Sequence, residues 1–299
     1  MDKFKPLIRD ALTELWSHKL RTLLTLLGMI FGVGAVIAML NIGEGAERQA
    51  MQLIDSMGLR NLIVESKTFP ADELQEVRKE SLGLNSQDMI AAKTTLPFVE
   101  DAAAVQNVKV QSLYSDQSHG DGQVVGVSRN YFELSNLTTD EGEIFTEQQA
   151  INLAQVAVLG SAIAQQMFPN GDALGKFIKV NHLWFEVVGI LESPHLSKNE
   201  FQGVKIGGES ARIYLPITTA SKKLRRDPLN SELDSIKIKI NQDTNPVIAA
   251  KALSRLLEMR HNGVDDYTLI IPAALLAQQK QTQQIFNIVM ACVAGISLL

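Results

Sequence analysis

Five histidines, a single cysteine, an adjacent acidic pair, a glycine-flanked lysine and a basic run are the features of this 299-residue chain that could do chemistry. The histidines, His18, His119, His182, His195 and His261, are scattered, and none belongs to HExxH or another short zinc motif. One cysteine, Cys292, cannot build a thiolate zinc cluster. The run GDALGKF at 171–177 glances at a phosphate loop, but its glycines are one residue too close. Phe177 also stands where a hydroxyl would hold magnesium, so the run reads as a turn before a strand. Asp265 and Asp266 are neighbours, and neighbours in a strand point to opposite faces. They make a poor catalytic dyad and read as a capped, solvated turn. SKKLRRDP at 221–228 is basic enough to meet acidic lipid headgroups or an acidic partner. The reading preferred here is the solvated end of a helix that stops before Pro228. No catalytic, cofactor or metal residue is assigned, and a net charge of −5 gives nucleic-acid binding no support.

With chemistry sparse, the elements that frame the chain carry the reading. Residues 22–43 hold no charge, and 22 residues of helix make about 33 Å, enough to cross a roughly 30 Å hydrocarbon core. A signal peptide has a shorter apolar region, of about 7–15 residues, and no 21-residue polar lead-in. Residues 1–21 are net +2 and the rest of the chain −7, which places the N-terminus in the cytoplasm and the larger region outside it. In the lead-in, Phe4, Ile8, Leu12, Leu15 and Trp16 share one helical face and polar residues the other. That pattern fits an amphipathic helix on the membrane surface with Trp16 at the headgroups, or else a short core helix. Gly28, Gly32 and Gly34 mark a small face on the span, and Gly28 with Gly32 makes a GxxxG pair for close packing against another span. Glycine is common in membrane helices, so chance gives the same spacing. Gly43, Glu44 and Gly45 form the junction where the span continues outward as a stalk, with the two glycines as places for a bend. At the far end, residues 281–299 are free of charge and mostly apolar from Ile285, which reads as a second stalk running into a second, truncated span.

Between the two apolar ends lie strands and helices in alternation. DSIKIKIN alternates Ile236, Ile238 and Ile240 with Ser235, Lys237 and Lys239, as a half-buried strand does. NLIVES, GQVVGV, QVAVL and RIYL are further strands, and KFIKVNHLWFEVVGIL is a hairpin turning near Asn181 and His182. Helices are expected over Ser86–Leu96, Ser161–Phe168 and Pro246–Arg260, each with a cap, Pro or Gly signal. A strand–helix–strand pattern occurs twice, so the external region reads as an α+β domain of two related halves around a strand-rich insertion. The expected divisions are 1–21 for the surface helix, 22–43 for the first span and 44–118 for the stalk and first half. They continue with 119–230 for the insertion, 231–275 for the second half and 276–299 for the second stalk and span.

The order of IGEGAERQAMQLIDSMGLRNLIVES, VAVLGSAIAQQMFPNGDALGKFIKVNHLWFEVVGIL, RIYLPITTA and DDYTLIIP before a second apolar run closely resembles the MacB-like permeases of ABC transporters. These are relatives of the lipoprotein-releasing and FtsX-type permeases. The resemblance covers nearly the whole sequence and implies a porter-like α/β part with an inserted subdomain, called sabre in the type member. It implies an inner-membrane, multi-pass protein with a large periplasmic domain, and a partner ABC ATPase subunit that binds ATP and magnesium, so that this chain is itself no enzyme. It further implies a second permease copy or homologue in a dimer, the lipid bilayer, and a periplasmic adaptor or substrate protein. Movement of the external domain would then follow ATP hydrolysis on the other side of the membrane. The alternative is a membrane-tethered binding or sensor module without ATPase coupling.

Overall fold

The computed structural model describes Trp16 and residues 19–58, 60–192, 200–201, 204–205 and 208–298. Phe4, Ile8 and Leu12 of the expected surface helix lie outside the described residues, as does His195, while Trp16 is helical and 70% exposed. The chain divides into two compact units, Met1–Met51 with Ala277–Leu299, and Gln52–Leu276.

Two long helices supply most of the first unit. Helix α1, Lys19–Met57, runs through all five glycines of the opening stretch without a break. The second long helix, Pro272–Leu298, is polar over Gln278–Gln284 and mostly apolar from Ile285. Leu20, Leu24, Phe31 and Ile37 are more than half exposed, as are Ile285, Ile288 and Val289 of the second helix. Among the described residues no helix is long and apolar enough to cross a membrane. Thr25, Ala35, Val36, Met39, Leu40 and Ile42 in the expected first span, and Asn287, Ala291 and residues 293–299 in the second, lie outside the described side chains.

The second unit is built on one mixed sheet. Its elements in chain order are β1 (Asn61–Ser66), α2 (Ala71–Glu80), α3 (Ser86–Thr95), β2 (Val99–Val108), β3 (Leu113–Tyr114), β4 (Gln123–Val127) and α4 (Tyr131–Leu134). There follow β5 (Thr139–Gly142), α5 (Glu147–Ile151), β6 (Val156–Leu159), α6 (Ser161–Met167), β7 (Phe177–Val180) and β8 (Leu183–Leu191). Short strands β9 (Glu200–Phe201) and β10 (Val204–Lys205) pair only with each other. The unit closes with β11 (Arg212–Pro216), α7 (Ile217–Lys223), β12 (Ser235–Ile240), α8 (Pro246–Arg260) and β13 (Tyr267–Ile270), from which the chain enters α9, the helix Pro272–Leu298.

The strand order is β13-β1-β12-β2-β4-β11-β6-β8-β7-β3, with β5 beside β8. β1 is antiparallel to both β12 and β13, and β12 is antiparallel to β2. The two strand–helix–strand passages, β1 to β2 and β12 to β13, therefore interleave instead of lying side by side. Everything from β3 to α7 is inserted between them, and its strands other than β9 and β10 extend the same sheet beyond β2. The alternation in SIKIKI follows its environment: Ile236, Ile238 and Ile240 are 1% exposed, and the polar positions between them are half-buried. They pack with Leu62, Val64, Leu253 and Leu257 into one core. Pro246 starts α8 at its first turn, and the Asn245 side chain accepts the backbone N–H of Val247 at 2.9 Å.

Candidate functional site

The two long helices enter the sheet through neighbouring strands. Three residues separate the end of α1 from the start of β1 at Asn61, and β13 ends at Ile270, just before α9 begins. Their antiparallel register pairs Ile63 with Ile270 and Ser66 with Tyr267, so the chain enters β1 and leaves β13 at the same end of one ladder. The entry is fixed locally. Asn61 N–H donates to Gly58 O at 2.9 Å, and the buried Asn61 Nδ2 donates to Leu134 O at 2.7 Å, tying β1 to the insertion. At the exit, Ile271 packs on the core under β1 and β12 and accepts the first N–H groups of α9, from Ala274 and Leu275.

The other end of β13 is held by charge. His261, the residue that ends α8, is buried between two carboxylates. Its Nδ1 lies 2.5 Å from Asp266 Oδ1 and its Nε2 lies 3.3 Å from Asp88 Oδ2. Asp88 has three jobs. It caps α3 by accepting the Asn85 backbone N–H at 2.9 Å, accepts Arg260 Nε at 2.5 Å, and faces His261. Asp266 accepts the Ser81 hydroxyl at 2.6 Å, with Arg78 Nη1 at 3.5 Å. Burial alone would push the imidazolium to lose its proton, but hydrogen bonds and attraction to Asp266 and Asp88 outweigh it and raise its pKa from 6.5 to about 9. For Asp88 and Asp266 burial favours the neutral acid, and the bonds from His261 and their other donors overcome that and lower both.

This cluster is a clasp and not a catalytic triad. The Ser81 hydroxyl donates to Asp266, while Ser81 and Asp266 share the same ring nitrogen and Nε2 is taken up with Asp88. No ring nitrogen is left to act as a base toward a substrate, and Ser81, His261 and Asp266 are at most 5% exposed. The two carboxylates sit on opposite sides of the ring, and among the described residues no three acidic, histidine or cysteine side chains converge as a metal site. What the cluster can do is bind α2, α3, α8 and β13 together by charge.

The sequence reading missed this clasp. Asp265 is solvated, 83% exposed and 2.5 Å from Lys67 Nζ, but Asp266 is fully buried. The solvated-turn expectation thus holds for one residue of the pair and fails for the other, because extended neighbours face opposite ways. A signal was present in a histidine ending a helix five residues before an aspartate. The expected junction residues behave unequally. A Cβ on Gly43 would meet Phe286 Cε1 of α9 at 3.4 Å, whereas one on Gly45 would meet nothing within 4 Å. Glu44 is exposed and pairs with Arg48 at 2.6 Å. Gly28 and Gly34 also have open space around them, and Gly32 is half-buried. In SKKLRRDP the helix stops at Lys223, earlier than expected, and Leu224 turns into the core, leaving the arginines in a loop.

Residues 22–256 match the family described as MacB-like periplasmic core domain. The chain belongs to this family. It is 30% identical over 297 residues to the macrolide export ATP-binding/permease protein MacB of Shigella dysenteriae, covering 97% of this chain and 43% of that protein. It is 31% identical over 296 residues to the pyoverdine export ATP-binding/permease protein PvdT of Pseudomonas putida, covering 98% of this chain and 42% of the relative. The chain therefore spans less than half the length of these curated relatives. The MacB-like fold is also seen in the crystal structure of the periplasmic region of MacB from Actinobacillus actinomycetemcomitans, with a TM-score of 0.59 at 22% identity over 77% of this chain and 95% of that one. The extracellular domain of the ABC-type transporter YknZ from Gram-positive bacteria gives a TM-score of 0.54 at 16% identity, covering 70% of this chain and 99% of that one.

Proposed function

We propose that this chain is the permease part of an ABC-type export or mechanotransmission complex, in which ATP hydrolysis by a partner subunit moves an extracytoplasmic domain. The observation that carries the reading is the pairing of β1 with β13: each strand adjoins one long helix that exposes apolar side chains, and the two strands share one hydrogen-bonded ladder. A tilt of either helix pulls on a strand whose partner is attached to the other helix. Hydrogen bonds between strands resist shear as a set, so the pull reaches the sheet instead of dissipating in a linker. The clasp at Asp266 holds the far end of β13 against that pull.

Further support for a membrane setting comes from the exposed apolar side chains on α1 and α9, which water would disfavour and lipid would accept. On this reading α1 and α9 contain the two spans, the N-terminus is cytoplasmic, and the sheet lies in the periplasm of a multi-pass inner-membrane protein. The small face at Gly28, Gly32 and Gly34 packs on another span of the complex, including one from a second permease copy or homologue. ATP and magnesium bind to the nucleotide-binding subunit, and this chain catalyses no reaction. A periplasmic adaptor or substrate protein is the partner of the sheet unit. The relatives are named ATP-binding/permease proteins of macrolide and pyoverdine export, which supports export as the class of function.

The test is a flexible break in α1. About six Gly/Ser residues inserted between Gly45 and Ala46 of the full-length complex behave as a random coil and carry no bending moment. The protein should still reach the membrane and fold, ATP hydrolysis should persist, and transport should stop. Normal transport at normal protein levels would make α1 a tether, and the chain a membrane-anchored binding or sensor module.

A further inference from the structure

The basic run at 221–228 has no part in the lever. Lys222 and Lys223 sit on the last turn of α7, and Leu224 is buried, so the chain must turn before the arginines. Arg225 and Arg226 then form one wall of a cleft of about 290 Å³. Asn107 and Lys109 at the end of β2, with Asn181 and His182 at the tip of the β7–β8 hairpin, also line it. Three permanent cations, Lys109, Arg225 and Arg226, thus share a recess in a chain of net charge −5, with Asp227 as the one acid lining it.

These cations are not neutralised from within. Among the described residues the Lys109 ammonium and the Arg225 guanidinium have no hydrogen bond or ion pair. Arg226 is half-buried, and among the described residues its one hydrogen bond is to a neutral acceptor, Asn230 O at 2.6 Å. Burial pushes its pKa below the ordinary value, and Asp234 and Glu232 act on it only through space. A partly desolvated guanidinium with no carboxylate in direct contact is incompletely compensated, and an arriving anion that bonds it offsets part of the desolvation cost. The wall opposite is held in place: Asn181 Oδ1 accepts the Gln111 N–H at 2.7 Å, and Asn181 Nδ2 donates to Lys109 O at 3.0 Å. The strand end carrying Lys109 is therefore positioned before any ligand binds.

We infer that this cleft binds an acidic peptide segment, with at least two carboxylates, from a partner protein. The half-buried Arg226 argues for a segment that enters the cleft and against a flat headgroup surface, which would reach only the exposed Lys109 and Arg225. The neutral amides of Asn107 and Asn230 match the polar backbone of a peptide. The inference does not depend on the permease reading, because it uses only residues of the sheet unit.

The 299-residue chain in nonionic detergent is titrated calorimetrically with capped Asp-Ala-Asp-Ala-Asp, with the Asn-for-Asp peptide, and with phosphatidylglycerol vesicles. The acidic peptide should bind and the neutral one should not. The double variant K109Q/R226Q should weaken binding by about tenfold or more, as expected for loss of two charge-assisted bonds. K222Q/K223Q, which removes the same charge outside the cleft, should weaken it less than about twofold. R226K should retain most of the affinity, and K109Q and R225Q singly, both at exposed side chains, serve as the test if the double variant fails to fold. Equal losses in both double variants would reduce the effect to diffuse surface charge and overturn the proposal. So would binding of the neutral peptide, or vesicle binding that depends on Arg226 in the absence of peptide binding.

Discussion

The largest fully buried rings, Tyr214, Phe132, Phe145, Phe168 and Phe185, all belong to the inserted region beyond β2. The fully buried charges, Asp88, His261 and Asp266, all belong to the region of β13, β1 and β12. Phe132 packs at 5.5 Å on Phe145 and 5.4 Å on Tyr214, a cluster held by area and ring geometry. The helix-bearing region is held instead by an aliphatic core and an ionic clasp. Apolar packing is non-directional, so it makes a body that resists deformation from every side. A charge-assisted hydrogen bond has a direction, so it holds a strand end against a pull along one line. The difference also divides the molecule by pH: burial raises the Tyr214 pKa, so the ring cluster stays neutral through the range where the clasp depends on protons.

The comparison breaks first on the largest effect. Phe132→Ala should lose about 3–5 kcal/mol, by cavity and transfer cost together, and by the same amount at pH 6 and pH 9. Urea unfolding followed by circular dichroism at the two pH values checks both. Asp266→Asn should cost roughly 3 kcal/mol at pH 6, because it leaves His261 and Arg78 short of a carboxylate, and much less near pH 10. An equal loss at both pH values would mean that packing and not charge holds the clasp.

The wild-type chain itself should show the pH division. The folded pKa of His261 lies above its ordinary value of 6.5, so its contribution is complete below about 6.5 and is lost as pH rises through about 9. The shift corresponds to roughly 3 kcal/mol. Asp88 and Asp266 are lowered from 3.8, so their contribution is present above that value and is lost as pH falls below it. Stability should therefore be level between about pH 4.5 and 6.5 and decline toward pH 9, and His261→Gln should flatten the decline. A wild-type plateau reaching unchanged to pH 9 would contradict the buried imidazolium.

Two smaller effects sharpen the picture. Gly83 has φ +75°, and a Cβ there would lie 2.4 Å from Ser231 Oγ and 2.8 Å from Arg78 Cζ. Gly83→Ala should cost about 1–2 kcal/mol and loosen Arg78 with it, visible as a weaker pH dependence. Asn85→Ala, which removes the cap of α3 but leaves Asp88, should cost about 1 kcal/mol. A pH slope unchanged in Asn85→Ala but altered in Gly83→Ala would separate capping from clasping.

Legibility in the sequence follows how local each signal is. SIKIKI was readable because one buried face imposes a period of two on six residues. Pro246–Arg260 was readable because Pro at its start and the Asn-Gly after it act within one turn. The helix Ala71–Glu80 went unread: it buries no residue fully, and its apolar face is only Leu74 and Val77, both half-buried, among charged neighbours. Its acids in the first turn and bases in the last were the available sign. The interleaving of the two strand–helix–strand passages has no local signature, since β1 finds its partners far along the chain. The clasp escaped for the same reason: Asp88 and His261 meet across 173 residues.

That separation has a consequence for synthesis. Both partners of β1 come late, since β12 begins about 170 residues after β1 ends. At about 5–20 residues per second, β1 waits roughly 10–30 s for its first neighbour. Meanwhile the strands of the insertion emerge in full. Leu62, Ile63 and Val64, all buried in the finished sheet, spend that interval as an unpaired apolar strand. The nascent chain thus carries its aggregation hazard at the front and its remedy at the back, and an elongation pause anywhere between Ser66 and Ser235 prolongs the exposure.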